Sequence, residues 1–309
     1  MHAHGHGHAH GHSHGATEGW RYGVSIGLNL LVVAAQLGVG FAISSTALIA
    51  DAGHNASDVL GMIMAGIAAW LMRRAPSDRR TYGFGKAGVI AALLNSLLLV
   101  AACAVLAWEA IDRLIHPPAA APPAMLMIVT AALGVLVNLG SGLLLMGGHP
   151  GDVNRKAAVI HLFGDAAVSV GVVASALLIW WTGARWIDPV TGLLIVGVIL
   201  ATTWSLLVQS LDLALDAAPR DIDVAAVRGW LAGLSGVAAV HDLHVWPMSS
   251  TETALTAHLV LADGQDGGND LLHAVTEGLA QKFGIGHATV QVERAGLNAC
   301  MHGDGVLHP

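Results

Sequence analysis

Two copies of one short pattern, His-x-x-x-Asp, contain the residues of this sequence that are best suited to chemistry. The first copy is His54 and Asp58, and the second is His161 and Asp165. On an α-helix, residues four positions apart lie on one face, with about 5–6 Å between their Cβ atoms. If the two helices face each other, two imidazoles and two carboxylates converge. Such a set suits a divalent cation of borderline hardness, such as Zn²⁺, in tetrahedral coordination.

Both copies lie in long apolar segments. The chain has 309 residues, of which 54% are hydrophobic and only 11% charged, and its mean hydropathy is +0.63. A soluble domain carries about a quarter charged residues, so the sequence predicts an α-helical integral membrane protein. Six segments reach the length of about 20 residues that a transmembrane helix needs. They are Tyr22–Ile43, Thr46–Met72, Gly88–Ile115, Ala124–Met146, Ala157–Trp181 and Pro189–Val208.

The membrane setting decides how the four polar residues are interpreted. Ionisable groups inside a bilayer are costly and mark functional sites by default. Four of them, in two copies of one spacing, therefore favour a metal pathway over ordinary polar residues packed between helices.

Basic residues are concentrated in two of the predicted loops, which sets the orientation. The residues are Arg73, Arg74, Arg79, Arg80 and Lys86 between spans two and three, and Arg155 and Lys156 between spans four and five. Because basic loops stay on the cytoplasmic side, both termini are predicted to be cytoplasmic. At about 1.5 Å per residue, the two His-x-x-x-Asp pairs then reach similar depth from opposite sides of the membrane.

From about Ala217 the composition becomes that of a soluble domain. The periodicity predicts helices at Ile222–Leu234 and Asp270–Phe283, and strands at Val237–Trp246, Thr253–Leu261 and His287–Glu293. The αββαβ order indicates a small cytosolic domain of ferredoxin-like α+β type. The predicted division is a disordered His-rich tail at 1–19, a six-helix membrane domain at 20–212, the cytosolic domain at 213–296 and a C-terminal tail at 297–309. Seven histidines from His2 to His14 suggest that the first tail captures metal loosely.

Several motifs together resemble the cation diffusion facilitators over nearly the whole chain. Besides the two His-x-x-x-Asp pairs, they are Arg80-Thr-Tyr-Gly-Phe-Gly-Lys86, Val240-His-Asp-Leu-His-Val-Trp246 and Ala257-His-Leu-Val260. The two-His, two-Asp set is similar to that of the zinc-transporting branch, which includes bacterial cobalt–zinc–cadmium resistance facilitators. The resemblance implies a homodimer that exchanges cytosolic Zn²⁺ for external protons by alternating access. It also implies a cytosolic domain that binds further metal.

The resemblance extends to candidate ligands in the C-terminal domain. His241 and His258 match positions at which family members bind zinc, and Glu293 lies near the end of the last strand, where relatives place a carboxylate. His244 is either a further ligand or a packed strand residue. Cys300 and His302 either clasp one metal ion, as C-terminal cysteines of some relatives do, or belong to a tail that binds none.

Asp51 is a possible accessory residue of the membrane site. It lies one turn before His54, on nearly the same face of the helix. We expect it at the outer mouth of the site, where it could help to release zinc or relay protons. The alternative is a residue near the helix N-terminus that faces a water-filled vestibule.

Two rival classes of function are less well supported than transport. An intramembrane zinc hydrolase needs an open coordination position and a general base, and the sequence has no His-Glu-x-x-His motif. A membrane-anchored metal sensor would work through its soluble domain and would not need a complete ligand set in the membrane. The sequence therefore predicts a transporter and no enzyme, with Zn²⁺ as the principal ion and Co²⁺ or Cd²⁺ as further candidates.

The expected partners are those of a membrane transporter for metal ions. They are the lipid bilayer, divalent ions, protons and, by resemblance, a second copy of the chain. The 14 lysines and arginines form no basic stripe outside the membrane-flanking loops, so a nucleic-acid partner is not expected.

Overall fold

The computed structural model describes residues 19–146, 153–249, 251–265 and 267–294. The first six helices in these ranges are α1 (Gly19–Ala42), α2 (Thr46–Met72), α3 (Ala87–Ile115), α4 (Ala124–Met146), α5 (Val153–Thr182) and α6 (Ile187–Ala214). They are followed by α7 (Val224–Ala232), β1 (Val237–Pro247), β2 (Thr253–Leu261), α8 (Asn269–Phe283) and β3 (His287–Arg294). The predicted His-rich tail, Cys300 and His302 lie outside the described residues.

Six helices of the described chain are long and apolar enough to cross a membrane, which confirms the predicted spans. The bounds of α2 and α4 agree with the prediction. Helix α6 continues to Ala214 instead of stopping near Val208. The apolar run weakens at Gln209, but neither glycine nor proline follows before Pro219. The apolar segment therefore ends before the segment that favours a helix does.

The described chain forms two compact units. One comprises the residues up to Leu60 together with Leu98–Thr203, and the other comprises Gly61–Leu97 and the chain from Trp204 onwards. In the first unit, α4 packs against α1 and α5. Small residues allow this close approach; a side chain at Gly142 would meet the ring of Phe163 at 3.3 Å.

The start of α2 is held by a carboxylate from the start of α6. Asp188 is almost fully buried and accepts hydrogen bonds from Ser45 Oγ at 2.5 Å, Thr46 N at 2.7 Å and Thr46 Oγ1 at 2.8 Å. The first N–H groups of a helix have no partner within the helix, and an anion is favourable beside them. Asp188 thus supplies the cap of α2 from a distant part of the chain.

The second unit contains the sheet of the C-terminal domain. Its strand order is β1-β2-β3, with β1 and β2 antiparallel and β2 and β3 parallel. Residues of α7, α8 and the sheet form a common apolar core, including Val227, Leu255 and Leu279. These elements confirm the predicted αββαβ order.

The loop between α2 and α3 contacts the C-terminal domain within this unit. Lys86 forms an ion pair with Asp216, just after α6, and the ring of Tyr82 lies edge-on to His287 at 5.9 Å. A Cβ at Gly85 would lie 2.6 Å from the carbonyl oxygen of Met248, closer than real Cβ atoms come to backbone. Glycine is therefore required at this contact.

Candidate functional site

The structure brings the four predicted membrane residues together. His54 and Asp58 lie one turn apart in α2, and His161 and Asp165 one turn apart in α5. His54 Nε2 is 3.4 Å from Asp165 Oδ1, and His161 Nε2 is 3.2 Å from Asp58 Oδ2. The pairs therefore cross, because each imidazole lies beside the carboxylate of the other helix.

These distances suit a shared metal ion. Ligand atoms of His54, Asp58 and Asp165 lie within 4.8 Å of one another, and His161 Nε2 lies 3.6 Å from Asp165 Oδ2. Ligands bound tetrahedrally at 2.0–2.2 Å are separated by about 3.3–3.6 Å. His54 Nδ1 and Asp58 Oδ2 are buried and make no hydrogen bond within the described part of the chain. Buried polar atoms that make no hydrogen bond are rare, and metal ligation would account for these two.

The cluster is covered on one side and open on the other. The side chain of His161 is 48% exposed and that of Asp58 is 26% exposed, whereas Asp165 is 6% exposed. Towards the start of α2, the neighbouring residues Leu48, Ala50 and Ala52 are fully buried.

A hydrogen-bonded cluster centred on Asp51 closes the covered side. Asp51 accepts from Gln36 Nε2 of α1 at 2.8 Å and from Ser169 Oγ of α5 at 2.9 Å. Asp51 precedes His54 by one turn and Ser169 follows Asp165 by one turn, so the cluster lies one turn beyond the ligands. A Cβ at Gly134 of α4 would lie 2.8 Å from Gln36 Nε2, so a larger residue here would push the amide of Gln36 aside. We call Gln36, Asp51, Gly134 and Ser169 the outer cluster.

Asp51 does not face a water-filled vestibule in this structure, and its role in zinc release or proton relay stays a prediction. Its side chain is only 1% exposed, because α1, α4 and α5 close around it.

Sequence reasoning also missed Ser169 and the α2 cap, Asp188. Asp188 could have been noticed, since it is a lone acid at the start of an otherwise apolar span and is followed by Pro189. Ser169 gives no comparable signal.

A second group of candidate ligands lies in the C-terminal domain. His241 of β1 and His258 of β2 are register partners, and their rings lie 5.0 Å apart. Glu293 of β3 places Oε2 at 3.0 Å from His241 Nε2 and Oε1 at 3.0 Å from His258 Nδ1. Ligand atoms of these three residues lie within 4.8 Å of one another. We call them the sheet trio.

The charges of the sheet trio favour an ionised carboxylate. Burial by itself raises the pKa of Glu293. The hydrogen bonds from His241 and Gln291 and the charge interactions with the two nearby imidazoles lower it by more, so the net pKa is below the ordinary value of 4.5. His258 Nδ1 is buried and, among the described residues, has no partner with hydrogen-bond geometry. A carboxylate and two imidazoles in this arrangement fit a bound Zn²⁺ ion.

His244 does not join the sheet trio. Its side chain is 63% exposed, and its Nε2 lies 3.0 Å from Asp242 Oδ1 instead. Asp242, which sequence reasoning did not single out, also approaches His258. Cys300 and His302 lie outside the described residues, so their proposed pairing stays a prediction.

Two family models match almost all of the described chain. One, described as the cation efflux transmembrane domain, matches residues 23–213, and the other, described as the cytoplasmic domain of cation efflux proteins, matches residues 219–295.

Several proteins that are named as metal transporters are similar to this chain over most of their length. The chain is 33% identical over 285 residues to the metal cation efflux system protein CzcD of Cupriavidus metallidurans, covering 92% of this chain and 89% of that protein. It is 34% identical over 276 residues to the zinc transporter ZitB of Escherichia coli, covering 89% and 86%. It is 30% identical over 272 residues to the cadmium, cobalt and zinc/H(+)-K(+) antiporter of Bacillus subtilis, covering 87% and 86%.

One solved structure is similar to part of the chain. It is the metal-bound C-terminal domain of the CzcD transporter, which is 35% identical to this chain. The match covers 23% of this chain and 99% of the solved domain, with a TM-score of 0.23.

Proposed function

Because this chain belongs to the cation efflux family, whose members are cation transporters and not enzymes, we propose that it exports cytosolic Zn²⁺ in exchange for protons. The transported ion binds to His54, Asp58, His161 and Asp165. The observation that carries this proposal is the convergence of two imidazoles and two carboxylates inside apolar helices, with two buried ligand atoms left without hydrogen bonds.

The ligand set supports zinc as the principal ion. Imidazole nitrogen suits borderline metals, whereas sites made only of oxygen suit harder ions such as Mg²⁺, Ca²⁺ and Mn²⁺. The similar proteins carry zinc, cadmium or cobalt in their names, so Co²⁺ and Cd²⁺ are proposed as further substrates.

Proton exchange follows from competition for the same atoms. Imidazoles and carboxylates bind metal only when deprotonated, so metal binding releases protons and proton binding expels metal. Histidine titrates within the physiological range. Two histidines at the site can therefore exchange zinc for protons without a separate proton pathway.

The accessibility of the cluster supports alternating access. The outer cluster covers the ligands on the side of the α2 N-terminus, while His161 is about half exposed and Asp58 is partly exposed. We take the described arrangement as inward-facing, ready to load zinc from the cytosol. Release to the outside then requires the outer cluster to open.

We further propose that the sheet trio holds a resident Zn²⁺ ion. The short distances between ligand atoms and the unbonded His258 Nδ1 support this assignment. Loading of this site would favour one arrangement of a homodimer and so couple transport to the cytosolic zinc level, by differential affinity for two states. Metal sensing by the C-terminal domain would then regulate the transporter and would not be a separate function.

The proposed location is the inner membrane, with both termini in the cytoplasm.

The decisive experiment measures zinc flux into proteoliposomes with an imposed pH gradient. We compare the parent protein with Asp165→Ala and with Asp112→Ala. The control residue Asp112 is a half-exposed carboxylate near the end of α3 that pairs with His116. Flux should follow the gradient in the parent and the control and vanish in Asp165→Ala. Equal flux in all three proteins would refute the site, and flux that ignores the gradient would refute proton exchange.

A further inference from the structure

Strand β1 contains a bulge at the position of the sheet trio. The register between β1 and β2 shifts between His241 and His244. Asp242 lies in this shift with a φ of 51°, a left-handed conformation that is uncommon for residues other than glycine. Bulges re-aim side chains and are frequent beside functional sites. Here the bulge brings the carboxylate of Asp242 towards β2, to a residue that a regular strand would not pair with it.

The imidazole of His258 lies between two carboxylates. Its Nδ1 is 3.0 Å from Glu293 Oε1, inside the sheet trio, and its Nε2 is 3.5 Å from Asp242 Oδ2, on the opposite side of the ring. We propose that Asp242 is a positioning residue that accepts the Nε2–H of His258 and so leaves Nδ1 free to bind the metal. This inference rests on the proposed zinc site at the sheet trio.

The neighbouring histidine supports this role. His244 Nε2 lies 3.0 Å from Asp242 Oδ1, the oxygen that does not face His258. An ionised carboxylate can only accept hydrogen bonds, so His244 donates to Asp242 and holds it from the other side. His244 is thereby assigned to the support of the site and is not one of its ligands.

The arrangement has a chemical consequence for metal binding. A neutral imidazole carries its proton on one nitrogen and offers the lone pair of the other. A carboxylate beside Nε2 favours the tautomer that binds metal through Nδ1 and makes the ligand more basic. Loss of such an outer partner typically lowers metal affinity about 10- to 100-fold. We expect a loss of this size without a change in the number of ions bound.

The test is a zinc titration of the full-length protein in detergent, in competition with a chelator. All proteins carry Asp165→Ala, so that binding in the membrane does not contribute. The variants are Asp242→Gly, Asp242→Asn and His258→Ala, and the matched control is Asp263→Asn, an exposed carboxylate in the turn after β2. Glycine tolerates positive φ without strain, so Asp242→Gly removes the carboxylate while it relaxes the backbone.

We expect Asp242→Gly to bind the same number of zinc ions as the parent, about 10- to 100-fold more weakly. Its unfolding temperature without metal should be unchanged or higher. Asp242→Asn, which keeps one acceptor oxygen, should lose less, and Asp263→Asn should lose nothing. A purely structural role of Asp242 would instead lower the unfolding temperature of the metal-free protein.

Two results would overturn the role of Asp242. One is parental affinity in Asp242→Gly while His258→Ala loses a zinc ion. The other is complete loss of one ion in Asp242→Gly, which would make Asp242 a ligand of its own site. Parental binding in His258→Ala is a different result, because it would refute the sheet trio as a metal site and thus the proposed function of this domain.

Discussion

Replacement of Gly134 by alanine should open the outer cluster. The added methyl group would lie 2.8 Å from Gln36 Nε2 and 3.1 Å from Ser169 Oγ. Ordinary van der Waals contact needs about 3.5 Å or more, so the amide of Gln36 must retreat by roughly 0.7 Å. A movement of this size away from Asp51 would stretch the 2.8 Å hydrogen bond between Gln36 and Asp51 beyond the usual limit of about 3.2 Å.

The free-energy cost of Gly134→Ala depends on the hydrogen bond that is lost and on the helix propensity that is gained. A hydrogen bond to a charged group contributes about 1.5–3 kcal/mol. Alanine stabilises a helix interior by about 0.5–1 kcal/mol relative to glycine, which offsets part of this loss. The net loss is on the order of 1–2 kcal/mol, a factor of roughly 5–30 in an equilibrium. Because the outer cluster covers only one side of the ligands, the loss should destabilise the proposed inward-facing arrangement, in which this side is closed.

The assay follows access from the outer side. A reporter thiol is introduced by Ala50→Cys, at a fully buried position beside Asp51, in a background with Cys103→Ser and Cys300→Ser. Labelling by a membrane-impermeant thiol reagent applied from outside should be about 5- to 30-fold faster with Gly134→Ala. The matched control is Gly140→Ala in the same helix, where an added Cβ meets nothing within 4 Å. Equal labelling rates in the two variants would refute the outer cluster as a closing element.

Three further predictions concern other parts of the molecule. Asp188→Asn can keep an oxygen towards Thr46, but it puts an NH2 group where Ser45 Oγ and Ala47 N donate to Oδ1, and it should cost about 1–3 kcal/mol. Thermal unfolding in detergent checks this, with Asp112→Asn as the exposed control, and equal melting of the two variants would contradict it. His54→Asp replaces an imidazole by a harder oxygen donor and should admit the harder ion Mn²⁺ in flux measurements. A metal profile like that of the parent would show that His54 does not set selectivity. The lowered pKa of Glu293 means that its stabilisation is present above its ordinary value of 4.5 and lost as the pH falls through its lower folded value. With chelator present, Glu293→Gln should therefore flatten the acid side of the unfolding curve, and an unchanged acid limb would argue against this linkage.

Local periodicity made much of the architecture predictable. Six spans follow from the length and apolar composition of the segments. The αββαβ order follows from the change between helical and strand periodicity, and even the bounds of β2 agree with the prediction. The His-x-x-x-Asp spacing places each pair on one helix face whatever surrounds it. These properties depend on near neighbours in the chain, so the sequence alone determined them.

The tertiary structure decided which atoms meet. Sequence spacing pairs His54 with Asp58, but packing of α2 against α5 places His54 Nε2 beside Asp165 instead. The same packing buries Asp51, for which a water-filled vestibule was one of the two alternatives that the sequence left open. The cap supplied by Asp188 is separated from α2 by most of the membrane domain, and the bulge at Asp242 exists only because β1 pairs with β2. Hydrogen bonds between residues far apart in sequence depend on how whole helices and strands pack, and no local pattern of residue types encodes that packing.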